Sequence, residues 1–109
     1  MANIDKILKD AGNQIAELAE QLFKQFTQQA IADAKDFLNE ARDDLQRWVG
    51  ELERKEIDKS DFESLVRGQK DVAEMQALKQ AGLAQVSIDT FTNGVLDIVI
   101  NAAFAAIKL

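Results

Sequence analysis

Starting at Ile4 and ending at Leu52, the chain places an apolar residue at every third or fourth position: Ile4, Leu8, Ala11, Ile15, Leu18, Leu22, Phe26, Ala30, Ala34, Phe37, Ala41, Leu45, Trp48 and Leu52. Thirteen steps cover 48 residues, a mean of about 3.7. That spacing draws one stripe on a helix, closer to an eleven-residue repeat than to a heptad. The chain has no proline, and no glycine falls between Asn13 and Val49. These are the residues that most strongly interrupt a helix interior. The pattern therefore predicts one continuous helix over residues 3–53, capped by Asn3 and acidic in its first turn at Asp5. Gly12 is its weak point, and residues 27–30 are where an unsignalled kink is expected if there is one. Charged and amide side chains such as Lys24, Gln28, Asp36, Arg42 and Asp43 lie off the stripe and read as the solvated face. Trp48 lies on the stripe and reads as packing.

The polar stretch over residues 50–60 is the marked break. Gly50 is one stop for the first helix; a run to about Lys55 is the other. With Asp58 as N-cap, Ile57 and Phe62 take the two positions of a hydrophobic staple, while Ser60 and Glu63 offer a competing capping box. Beyond it, Phe62, Leu65, Val66, Val72, Met75, Leu78 and Ala81 again keep helical spacing. At Gly82 two readings compete. Leu78 and Leu83 stand where a Schellman stop needs them, with Val86, Ser87 and Phe91 as a following staple and cap. The stripe nevertheless keeps phase through Leu78, Ala81, Ala84, Ile88, Phe91 and Val95. The favoured expectation is a second helix over residues 58–108, kinked or broken at Gly82.

Residues 95–107 are the most apolar part of the chain, eleven of thirteen, interrupted only by Asp97 and Asn101. Asp89, Asn93, Asp97 and Asn101 recur every fourth residue and form one narrow polar stripe, read as the exposed edge of a buried helix. The wide remaining face makes Phe91, Val95, Ile98, Val99, Phe104 and Ile107 the candidate core or interface residues. A helix apolar over most of its circumference needs more than one neighbour, or lipid. Thirteen residues rise only about 20 Å against roughly 30 Å of hydrocarbon, so a membrane span is not the expectation.

Composition narrows the function classes. A net charge of −6 and no basic cluster longer than Arg54-Lys55 argue against nucleic acid, whose binding leans on phosphate neutralisation. Without cysteine there are no disulfides, thiol nucleophiles or thiolate metal sites. Without histidine the commonest general base is missing, and so is the Glu-x-x-His motif of di-metal helical proteins. Carboxylate pairs such as Asp43 with Asp44 and Glu17 with Glu20 read as surface charge. No phosphate loop, serine elbow or calcium loop occurs. No catalytic residue, cofactor, metal or small-molecule substrate is expected. Residues 1–20 carry charge throughout and hold no secretory signal, so a cytoplasmic location is the default expectation.

Together these readings predict an all-α single domain over residues 1–109, a long antiparallel hairpin of two helices of about 50 residues each. Such a hairpin cannot cover both sides of its apolar C-terminal helix. The expectation is therefore self-association, most simply a homodimer forming a four-helix bundle, or pairing with another protein. The function expected is that of a non-enzymatic structural or interaction protein. The alternative is a membrane-active or lipid-surface helical protein using residues 87–109, against which stands the lack of Lys and Arg beside that face.

Overall fold

A computed structural model describes residues 2–108 of the chain. It is all-helical: 81% of it is helix, with no strand among the described residues. The elements are α1 (Ile4–Leu22), α2 (Thr27–Glu53), α3 (Lys59–Arg67), α4 (Gln76–Gln80) and α5 (Gln85–Ile107), with a 3-10 turn at Gly68–Asp71 between α3 and α4. The all-α expectation holds, but the hairpin of two helices of about 50 residues does not form.

The first of the two expected helices folds back on itself at residues 23–26. Phe23 leaves helical geometry, and the Phe26 N–H donates to the Phe23 carbonyl at 3.1 Å. The Thr27 hydroxyl donates to the same carbonyl. Neither glycine nor proline is involved. The visible trace of the turn is a slip of the apolar stripe by one residue: Leu22 is 41% exposed, while Phe23 enters the core and meets Phe91 edge-to-face at 5.4 Å. An unbroken helix of about 50 residues would be roughly 75 Å long. Folding at residues 23–26 lays the stripe of α1 on that of α2 instead, within a molecule only 43 Å in its longest dimension.

The next turn follows the sequence signals closely. α2 runs past Gly50 and stops in a Schellman arrangement, with the Lys55 N–H on the Leu52 carbonyl and the Glu56 N–H on the Glu51 carbonyl. Lys55 occupies the left-handed position at φ 61° where glycine is the usual choice. Asp58 then caps α3 in a reciprocal box with Asp61, Phe62 is fully buried, and Ile57 packs on the core. The competing Ser60 box is not used.

The second expected helix is broken twice more. After Arg67 the backbone tightens into the 3-10 turn, and Met75, buried, adopts the left-handed conformation at φ 52°. Gly82, at φ 87°, is a true stop rather than a kink. Its N–H reaches the Lys79 carbonyl at 3.0 Å, and the Leu83 N–H reaches the Leu78 carbonyl at 3.3 Å, which is the Schellman pattern. α5 starts at Gln85 and takes Ser87 inside the helix. Val86 is 77% exposed, so the Val86–Phe91 staple does not form.

The helices run alternately up and down around one core. The Arg42–Asp5 ion pair at 2.7 Å joins the start of α1 to the middle of α2, and the Ala2 N–H, just before α1, donates to Glu53 at the end of α2 at 2.8 Å. The end of α3 meets the middle of α5 at Arg67–Asp97, 2.8 Å, and the start of α3 meets the end of α5 at the Phe62–Phe104 ring contact. α5 also lies against α1, so closely that a Cβ on Gly94 would come within 2.6 Å of Leu18 Cδ2. α5 is thus covered by α1 on one side and by α3 and α4 on another, all from the same chain. The expectation that a second chain is needed to cover this helix rested on the hairpin and loses its premise here.

Candidate functional site

Of the candidate residues on α5, Phe91, Val95 and Val99 are buried, at 0%, 0% and 1% exposure. Ile98, Phe104 and Ile107 are half-buried and pack against the edge of the core. They do not converge on a cleft. Asn93, Asp97 and Asn101 are exposed, and the Asp97 carboxylate is held by Arg67 rather than desolvated. Trp48 is buried, with the Arg47 guanidinium 5.9 Å from its ring centre.

One buried carboxylate escapes the sequence reading. Asp33 in α2 accepts hydrogen bonds from the Ala77 N–H at 2.9 Å and the Leu78 N–H at 2.8 Å. These are orphan amides of the first turn of α4, whose own N-cap, Met75, has no side-chain acceptor. The signal was available. Asp33 stands three residues after Ala30 and four before Phe37, so it is a charge on the buried stripe, and such a charge needs a partner. Beside it, Asp36, Glu40 and Glu74 line an open hollow of about 340 Å³. No cluster of metal-ligating side chains occurs among the described residues.

An apolar groove of about 570 Å³ opens between α1 and α2. It follows from the antiparallel pairing: Ile15, Ala34 and Leu38 form a buried floor, and Leu8, Gly12, Ala16 and Ile31 stand half-buried above it. Lys9 and Asn13 on one rim and Lys35 and Asn39 on the other are exposed. Arg42 and Asp5 bridge the two walls at one end, and the hydrogen bond from Arg42 to Asp5, with their Coulomb attraction, raises the guanidinium pKa above its ordinary value. The groove offers apolar surface and positive charge. It brings together no nucleophile and base.

The chain matches no protein-family model, no curated protein and no solved structure.

Proposed function

We propose that this chain is a non-enzymatic interaction protein that works by pairing helical faces, with another protein or with a second copy in a larger helical bundle. The observation that supports this reading is the α1–α2 groove. Leu8, Ala16 and Ile31 remain half-exposed together along this one groove. Apolar surface gathered in a groove, rather than scattered singly, is the kind that marks interaction sites. The test is affinity capture of the intact protein from its native cell, together with light scattering of the purified chain. The expected result is a stoichiometric protein partner or a mass that is a multiple of 12.1 kDa. A chain that captures no protein and stays monomeric at micromolar concentration overturns the reading.

A membrane-active role is the second reading, and one observation favours it. α5 spans 23 residues with a mean hydropathy of 1.5 in its most apolar window, long and apolar enough to cross a bilayer by length and composition. Against it, Phe91, Val95 and Val99 face the protein core, so lipid entry requires the helices to separate first. Vesicle co-flotation at neutral pH, with a change in Trp48 fluorescence, is the outcome that favours this reading over the first.

A further inference from the structure

We infer that the α1–α2 groove docks one amphipathic helix of a different protein, apolar on its inner face and flanked by Asp or Glu. This inference rests on the interaction reading above and names the partner's chemistry.

Three observations converge on it. The groove is helix-sized: its α1 wall, residues 5–16, rises about 17 Å, or three turns. Its half-buried residues are spaced to receive apolar side chains at successive turns, as in helix-in-groove recognition.

Gly12 supplies the second. It lies midway along the α1 wall, where glycine lowers helix stability relative to alanine. A Cβ built on it meets nothing within 4 Å. Packing inside the chain therefore gives no reason for glycine at this position. Gly94, inside α5 where it packs on α1, has such a reason in Leu18, and Gly50, inside α2, has one in Arg54. A bare backbone facing an apolar groove admits close approach by a backbone from outside.

Charge decides what that outside helix carries. Lys9 and Lys35 are exposed on opposite walls and join no ion pair among the described residues, while Asp5 at the groove's end is already held by Arg42. The groove is locally positive on a chain of net charge −6. A second copy docked by the same face would bring these lysines against their own equivalents, which opposes pairing. A helix flanked by carboxylates meets them with opposite charge. Three turns of helix bury less than the roughly 1,200–2,000 Å² of a standard interface, so the contact is a weak, exchanging one.

The test is selection of a displayed library of amphipathic helices, about 14 residues and roughly 21 Å long, on the intact immobilised protein. The flanking positions are varied among Glu, Ser and Lys. The expected result is enrichment of Glu at the flanks. Selected peptides should bind the Lys9→Glu/Lys35→Glu variant about tenfold or more weakly, with Lys-flanked peptides regaining binding there. Gly12→Phe, which fills the groove from an open position, should abolish binding. If that variant fails to fold by circular dichroism, the charge-reversal pair still decides. Peptides without flank preference, or peptides that bind Gly12→Phe as well as the parent, overturn the inference while leaving the interaction reading in place. So does a homodimer that Gly12→Phe dissociates. No enrichment over bare matrix overturns the inference, and the capture experiment then decides the broader reading by itself.

Discussion

The Asp33 carboxylate on α2 and the Leu78 backbone N–H at the start of α4 are joined at 2.8 Å across 45 residues of sequence. The same carboxylate holds the Ala77 N–H at 2.9 Å. A five-residue helix has almost no stability of its own, because nucleation is costly and few bonds follow it. α4 therefore depends on a cap from another helix. Asp33→Ala should destabilise the chain by about 1–3 kcal/mol, since a buried amide is left unpaired. Asp33→Asn, which keeps one acceptor oxygen, should fall between. Urea unfolding measures both, and a loss under about 0.5 kcal/mol for Asp33→Ala would refute the cap.

The two glycines beside α1–α5 and α1–α2 should answer alanine differently. Gly12→Ala meets open space and should stabilise by about 0.5–1 kcal/mol through helix propensity. Gly94→Ala must displace the Leu18 methyl and should gain less, or lose stability. Equal gains at the two positions would contradict the close α1–α5 approach.

Lys55 and Gly82 occupy the same position in two Schellman stops, at φ 61° and φ 87°. Gly82→Ala should cost about 1–2 kcal/mol, because a Cβ is disfavoured in the left-handed region. Lys55→Gly should gain about 0.5–1 kcal/mol, part of the relief being offset by the greater freedom of glycine in the unfolded chain. Thermal melts of the two variants moving in the same direction would argue against one of the turns.

Phe91 is fully buried and packs edge-to-face on Phe23. Phe91→Ala should destabilise by about 3–5 kcal/mol, the usual cost of removing a core aromatic. An effect below about 1 kcal/mol would mean that α5 does not sit in this phase against α1.

The Arg54 guanidinium donates to Glu56 at 2.6 Å across the left-handed Lys55, and this hydrogen bond holds the Glu56 carboxyl below its ordinary pKa of 4.5. A carboxyl lowered by folding contributes stability above its unfolded pKa and loses it as pH falls through the folded value. The pair is exposed, so the effect on stability is small and screened by salt. NMR titration should show Glu56 titrating below the ordinary glutamate value, and Arg54→Gln should return it toward that value. An unchanged Glu56 titration in Arg54→Gln would remove the pair from the turn.

By itself the sequence determined the class of structure and much of its local detail. Spacing of three and four with no proline required helices, since no other element keeps one face apolar at that period. The caps at Asn3 and Asp58 were legible because capping is decided within one turn of chain. The polar edge at Asn93, Asp97 and Asn101 was legible for the same local reason. What only the tertiary structure decided is where the two long stripes break. Every helix of a packed domain must bury one stripe, so a stripe can run on almost unchanged through a turn. Periodicity therefore counts apolar faces and does not count helices. The turn at residues 23–26 carries no glycine or proline; it lays α1 on α2 and brings Phe23 into the core against Phe91, a contact set by distant parts of the chain. At Gly82 both signals were present, and the packing of α4 and α5 chose the stop. Asp33 belongs to the same class: its partners lie 44 and 45 residues away, and only the fold that brings α4 to α2 turns a misplaced charge into a cap.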